Sequence, residues 1–423
     1  MSVSSFDIDE GVKGNFIYNP RFNTTLLSYN FYLPLDKNTM AREALLPYLL
    51  SSCCEKYRDY IDLNIRLLEL YGADLSCSCN KCGHLFHIRF AISVINSELS
   101  LGNDNPVCDA ADLLSSMIFA PAIKDSAFFE DDLAREKRKS IERIEGEINN
   151  KRSFAKTRLL AEMFGDDPYG KFKYGTIEEV NALTVHNLYD AWQTLLNTAQ
   201  VQINVVGKTL PEGVFSRAKE EFSKYNRHFL TDLTFERPFA EANSVKDITE
   251  RFDVTQGKLV MGFTSAVRGD LKTSAALTLC ADIFGGGPYS KLFTNVREKQ
   301  SLCYYCSASA RRSKGFMTVD SGIEQDNADK VISAVLCELE DMQKGNFEDE
   351  VIEASKKSIT DALHAYYDSS AALDLWYSRE IYEHYSPEEA AEIISAVSKE
   401  DIVNAAKGLK LHTVYRLLPK KEG

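Results

Sequence analysis

Two stretches of the chain, TTLLSYNFYLPL from Thr24 and KLVMGFTSAV from Lys258, are rich in β-branched and aromatic residues and predict the opening strands of two halves. Between them, hydrophobic alternation runs through Leu75, Cys77 and Cys79, breaks at Asn80 to Gly83, and resumes through Phe86, Ile88 and Phe90. That pattern predicts a β-hairpin. Helical periodicity takes over elsewhere. NADKVISAVLCELEDMQKG puts Val331, Val335, Leu336, Leu339 and Met342 on one stripe and stops at Gly345. LAREKRKSIERIEGEINNKR predicts a long charged helix with a narrower apolar face. Strands first and helices after, in each half, predict an α+β fold of mainly antiparallel sheets packed against helices rather than a parallel α/β sheet.

The chain also resembles itself. TIEEVNALTVHNLYDAW, from Thr176, is echoed by SPEEAAEIISAVSKEDIVNAA, from Ser386. Setting Leu183 against Val397 brings Leu188 to Ile402 and Ala191 to Ala405, a constant offset of 214 residues. Each copy then reaches an apolar run, VQINVVG or HTVYRLL. A period of that length signals a duplicated domain rather than a solenoid. The expected division is a first domain over 1–228, a linker over 229–252 whose Pro and charges follow neither period, and a second domain over 253–423.

Composition excludes several classes of function. The formal net charge is -13, from 62 acidic and 49 basic side chains, and no basic block stands out. Nucleic acid and anionic membranes are therefore not expected partners. No apolar run reaches the roughly 18 residues a membrane span needs. The start MSVSSFDIDEGVKG lacks a basic region followed by an apolar stretch. Ten cysteines are scattered, several beside apolar neighbours, as in SSCCEKY, LTLCADIF and AVLCELE, and that pattern reads as small buried hydrophobes of a reducing compartment. The expected location is the cytoplasm.

CSCNKCGHLFH, residues 77–87, concentrates three cysteines and two histidines and raises the question of zinc. Neighbours two apart on a strand sit about 6.6 Å apart, whereas thiolates sharing one zinc are about 3.8 Å apart. Cys77 and Cys79 thus fit poorly as a chelating pair, and His84 and His87, an odd number apart, face opposite sides. An ordinary hairpin is expected, with a knuckle of Cys79, Cys82 and one histidine as the alternative. EIYEH, Glu380 to His384, carries one histidine where a metal helix needs two and is expected to be a solvated helix end. His186, His228, His364 and His412 are isolated, and a nucleophile at Cys303 or Cys306 has no histidine nearby in sequence.

The stretch DIFGGGPYSKLFTNVREKQSLCYYCSASA, residues 282–310, is more specific. Gly285, Gly286 and Gly287 permit close backbone approach or positive φ, and PYSKLFTNVRE predicts a short helix with Leu292, Phe293 and Val296 inward. The run matches neither the phosphate-loop nor the dinucleotide pattern. Its glycines, Ser290 with Leu292 and Phe293, Arg297 with Glu298, and Tyr304 seven residues after the Arg resemble the second domain of the pitrilysin/insulinase family of metallopeptidases, the inverzincins. EKRKSIERIEGEINNKRSFAKTRLLAEMFGDDPYGKFKYGTIEEVNALTVHNLYDAW is similar to the family's first-domain helix and following segment.

That resemblance implies two tandem homologous α+β domains closing as a clam-like shell around a peptide. It also implies a loss. The HxxEH helix of active members corresponds here to AREALLPYLLSSCC, so the five positions are Ala44, Leu45, Leu46, Pro47 and Tyr48. The third zinc carboxylate, seven residues after the Glu matched to Glu136, corresponds to Arg143. The implied role is that of a non-catalytic, substrate-binding subunit, not catalytic alone, paired with a homologous HxxEH-bearing subunit that holds the zinc. Arg297 and Tyr304 are the implied catalytic contribution, and Gly285 to Gly287 join them as implied substrate-binding residues. No metal or other cofactor is expected in this chain. The isolated chain is expected to be capable of forming a homodimer. The alternative is a scaffold or accessory factor that binds a protein without cleavage, as for catalytically dead bacterial relatives associated with elongation factor P modification.

Overall fold

The structure is a computed structural model that describes residues 1–102, 104–227, 230–233, 244–265 and 271–420, with the side chain of residue 380 left aside. It contains two compact units. One comprises Met1–Glu145, Lys173–Thr234 and Ala365–Ser386, and the other Gly146–Phe172, Phe235–His364 and Pro387–Gly423. Each unit is thus built mainly from one half of the sequence and takes one segment from the other half. No helix among the described residues is long and apolar enough to cross a membrane.

The first unit is built on β1 (Ser2–Asp9), β2 (Val12–Tyr18), β3 (Thr24–Pro34), β4 (Asp74–Cys82) and β5 (Leu85–Ile95). A small hairpin of β6 (Ile123–Lys124) and β7 (Ala127–Phe128) follows, and β8 (Gln200–Gly207) returns to the main sheet. The six-stranded order is β1-β2-β8-β3-β5-β4, antiparallel except for the parallel pair β2 and β8. The predicted β4–β5 hairpin forms, but its strands run on to the Cys82–Leu85 pair, so the turn is Gly83-His84, with Gly83 at φ +61°. Asn80 to Cys82, expected in the turn, are strand residues, because the ladder continues as far as the one glycine that can take a positive φ.

The alternation in β3 has a physical reason on each face. Tyr29 and Phe31 meet Phe119 and Phe222, from the helices Pro106–Phe119 and Val214–Phe222. Ser28, Asn30 and Tyr32 face the other way, against the segment from the second half. There the helix Ser370–Tyr377 brings Asp374, fully buried, against the sheet. Asp374 accepts from Nε and Nη2 of Arg89 at 2.8 and 2.5 Å, from Nδ2 of Asn204 at 3.0 Å, and from Oγ of Ser28. Tyr32 Oη donates to the carbonyl of Ser378 at 2.8 Å.

His87 lies on this polar face, stacked on Tyr32 at 4.6 Å with Nε2 3.0 Å from Asn30 Oδ1. Burial, and secondarily the Arg89 charge, push its pKa down from 6.5 to about 3. In the unfolded chain the imidazole takes a proton near 6.5, while the folded chain refuses it until about 3. Stability is therefore expected to fall as pH drops through that window, by up to about 1.4 kcal/mol per pH unit from this group. Urea unfolding at a series of pH values checks this, and His87→Gln is expected to remove that share of the slope.

The second unit has β9 (Lys246–Phe252), β10 (Gly257–Ser265), β11 (Cys303–Arg311), β12 (Phe316–Ile323) and β13 (Leu409–Pro419), in the order β11-β12-β10-β13-β9. β9 and β13 are parallel, as β2 and β8 are in the first unit. The segment expected as a linker lies partly outside the described residues, at 229 and 234–243. Its described end is the edge strand β9, whose half-polar alternation is too weak a signal to read alone. Of KLVMGFTSAV, Ala266 and Val267 also lie outside the described residues.

One face of this sheet packs on the helices Leu271–Gly285 and Ala328–Lys344. The latter buries Val331, Val335, Leu339 and Met342 and ends on Gly345 at φ 79°, as its stripe predicts. On the other face lies Lys151–Phe164, a helix from the first half of the sequence, with Ala155 and Leu159 against Val260, Tyr415 and Leu417. Asp320 of β12, 2% exposed, accepts from Arg152 and, at 2.7 Å, from Lys156 of that helix. Asp320→Ala is expected to cost about 1–3 kcal/mol in urea unfolding, since it strands two cations that still reach water.

The charged helix expected over 133–152 is two elements. Glu130–Glu145 belongs to the first unit and Lys151–Phe164 to the second, with a 3₁₀ turn at Gly146–Asn149 between. Its buried face is not apolar: Asp132, Glu136 and Ser140 lie there beside Leu133. The carboxylates are held by Arg58 and Arg135 on Asp132, and by Lys139 and Arg135 on Glu136. The internal repeat is visible in capping. Thr184 with Asn187, and Ser398 with Asp401, form reciprocal capping boxes at the 214-residue offset.

Candidate functional site

The positions matched to a zinc motif converge in the first unit. Ala44 to Tyr48 lie in the helix Met40–Leu50, with Ala44, Leu45, Leu46 and Pro47 buried. Arg143, on the last turn of Glu130–Glu145, lays its guanidinium 3.9 Å from the Tyr48 ring centre. Tyr48 Oη is 3.3 Å from Tyr174 Oη, and Lys173 Nζ is 5.0 Å from the Tyr174 ring centre. Burial, then the bond to Tyr174, push the Tyr48 phenol up, so it stays a neutral hydroxyl. These groups do not suit a divalent cation. An alanine offers no donor atom, a protonated phenol is a poor ligand, and a guanidinium repels the metal. Lys173 and Tyr174 carry no signal of their own in the sequence; only folding sets them in a row with Tyr48 and Arg143.

The cysteine–histidine stretch divides between the two faces of its hairpin. Cys79 is buried with Sγ 4.0 Å from the carbonyl of Ala44, and Cys77 shares its face. Cys82 points the other way, Sγ 2.9 Å from Tyr382 Oη, towards the side where His87 stacks on Tyr32. Among the described residues no three His, Cys, Asp or Glu groups are placed to share an ion. EIYEH is not a solvated helix end. Ile381, 5% exposed, closes a 3₁₀ turn in the first-unit core, and Glu383 pairs with Arg379 at 3.6 Å. His412 is buried, its Nδ1 2.7 Å from Thr413 Oγ1, His186 and His364 are exposed, and His228 lies outside the described residues.

The glycine-rich stretch lies in the second unit. None of the three glycines takes a positive φ; close approach is what requires them. A Cβ on Gly285 would stand 2.5 Å from the backbone N of Ala308 in β11, one on Gly286 would run into the Asp282 carboxylate, and one on Gly287 would meet the Tyr289 ring. Asp282 is itself held by Tyr289 Oη and Ser355 Oγ, both at 2.6 Å. The helix expected after the glycines is a widened π-helical stretch, Leu292–Lys299, with Leu292 and Val296 buried and Phe293 half-buried.

Arg297 lies near the end of that stretch, its guanidinium 4.6 Å from the Phe293 ring centre and 3.5 Å from Glu298. Tyr304 sits at a bulge in the edge strand β11, where Cys303 pairs with Ile323 and Tyr305 with Gly322. The bulge turns Tyr304 out to 56% exposure, and its hydroxyl donates to Glu324. Arg297 and Tyr304 therefore engage different carboxylates, and among the described contacts no bond joins them. Glu324 is the partner that sequence spacing alone did not suggest. Cys303 and Cys306 share a face of β11 on either side of the bulge. A hydrogen bond between the two free thiols pulls Cys303 down and pushes Cys306 up, with Arg297 adding to the first shift.

Comparison with known proteins covers the whole chain. The family described as "Peptidase M16 inactive domain" matches residues 182–359. A Bacillus subtilis (strain 168) protein named "Probable inactive metalloprotease YmfF" is 30% identical over 411 residues, 96% of each chain. A conserved protein from Enterococcus faecalis V583 superposes with a TM-score of 0.89 at 28% identity, covering 100% of this chain and 99% of that one. A peptidase M16 inactive domain from Pseudomonas fluorescens shares the fold at a TM-score of 0.79 and 16% identity, with 99% of each chain covered. Relatives named inactive and motif positions filled by Ala44, Tyr48 and Arg143 agree, and the chain belongs to the pitrilysin-type M16 peptidase family as a member that is not catalytic alone.

Proposed function

We propose that this chain is the substrate-binding subunit of a two-chain zinc peptidase, presenting Arg297 and Tyr304 to the zinc site of a homologous, HxxEH-bearing partner. The observation that carries this reading is Tyr304. A bulged edge strand turns a phenol to solvent at 56% exposure, where among the described residues its hydroxyl holds only Glu324. A phenol delivered in this way can donate to the oxyanion that forms as a peptide carbonyl becomes tetrahedral. The guanidinium fork of Arg297 suits the carbonyl or the phenol beside it. The edge position of β11 in its sheet, with Gly285 packed against it, supports a peptide lying extended nearby. Zinc would belong to the partner, and cytoplasm is the compartment this reading expects.

The test is reconstitution. The purified chain, mixed with an HxxEH-bearing homologue from the same source, should cleave unstructured peptides in a chelator-sensitive way at a rate neither chain reaches alone. A partner equally active without this chain would sink the proposal. Stable complex formation without hydrolysis of any peptide in a broad library would point instead to the scaffold role.

A further inference from the structure

The row Arg143, Tyr48, Tyr174, Lys173 in the first unit has a chemistry of its own. A cation stands at each end of two linked phenols: Arg143 lies 3.9 Å from the Tyr48 ring centre, and Lys173 Nζ lies 5.0 Å from that of Tyr174. Guanidinium groups carry five N–H donors in a planar fork. Among the described residues, no carboxylate pairs with that of Arg143. Three acids of its own helix are engaged elsewhere, Asp132 by Arg58 at 2.8 Å, Glu136 by Lys139 at 2.9 Å and Glu142 by Arg138 at 4.0 Å. Lys173 spends two bonds on the Cys79 carbonyl and Asn80 Oδ1, at 2.9 and 3.1 Å. A stacked, half-buried guanidinium that no described carboxylate pairs with is a receptor for a planar anion.

We propose that this row binds a peptide carboxylate. Ring stacking fixes the plane of the fork, and a carboxylate is the planar anion that such a fork holds through two parallel bonds. Polyanions are disfavoured by the chain's net charge of -13. The carboxylate comes from a chain terminus or from an Asp or Glu side chain, and both present the same two oxygens. The inference rests on reading the protein as one that holds peptides without its own hydrolytic centre. It needs neither the partner chain nor zinc.

The test is calorimetric titration of the isolated full chain with three probes at millimolar concentration: N-acetyl-tetra-alanine with a free C-terminal carboxylate, its C-terminal amide, and the amide with Glu at the third position. The free acid is expected to bind about tenfold or more tighter than the amide. Arg143→Gln should weaken the acid by a similar factor, and Arg143→Lys by less, because it keeps the charge and loses the fork. Recovery of binding by the Glu-containing amide identifies a side chain as the source, and its failure identifies the terminus. Circular dichroism verifies that the variants remain folded. Equal affinity for acid and amide, indifference to Arg143→Gln, or no binding of any probe overturns the proposal. Because no cleavage is read, reconstitution can fail without touching this result, and this result can fail without touching reconstitution.

Discussion

Asp374→Ala is expected to cost about 3–5 kcal/mol of stability, the largest effect of any single substitution considered, because it leaves a buried cation without its counter-charge. Asp374 is fully buried and the Arg89 side chain is 10% exposed, so Arg89 cannot recover the loss by turning to water. Asn204 Nδ2 and Ser28 Oγ lose an acceptor in the same step. Urea unfolding checks the figure, and hydrogen exchange should show the helix Ser370–Tyr377 opening first. A double variant with Arg89→Leu should recover part of the loss, since it removes the stranded charge. An unchanged unfolding midpoint for Asp374→Ala would mean that this network does not hold the helix.

Tyr304→Phe is expected to lower kcat of the reconstituted two-chain enzyme by about 10²–10³, the range for removing one oxyanion donor, with little change in KM. The hydroxyl acts on charge that exists only in the transition state, so ground-state binding should not register its loss. Arg297→Ala should lower kcat and raise KM together if the fork also holds the ground-state carbonyl, and Arg297→Lys should recover only part. Steady-state kinetics at saturating partner concentration separates these outcomes. Cleavage unaffected by both substitutions would remove the assigned roles.

The two exchanged helices carry opposite charges. In the first unit the helix supplies the carboxylate, Asp374, and the sheet supplies Arg89; in the second the helix supplies Arg152 and Lys156 and the sheet supplies Asp320. Each helix therefore matches its own sheet and mismatches the other, where like charges would be buried together. The expected costs differ because exposure differs. Arg152 and Lys156 are 48% and 33% exposed and can turn to water when Asp320 is lost, whereas Arg89 cannot.

Much of this was legible before folding. Periodicity placed β3, β10, the β4–β5 hairpin and the helix ending at Gly345, because one-sided burial imposes a period of two on strands and 3.6 on helices. The 214-residue echo revealed the duplication, and spacing around Arg297 and Tyr304 revealed the family. The same residues could not show that 146–172 and 365–386 serve the opposite half's unit, since a helix has the same amphipathic period whichever sheet it covers. Nor could they show the buried polar faces around Asp374 and Glu136, where side chains that look solvated in sequence are buried and neutralised, Asp374 by Arg89 far along the chain and Glu136 by its helix neighbours Arg135 and Lys139. Local periodicity is written residue by residue, whereas charge pairing over 285 positions, as between Arg89 and Asp374, exists only once the chain has closed on itself.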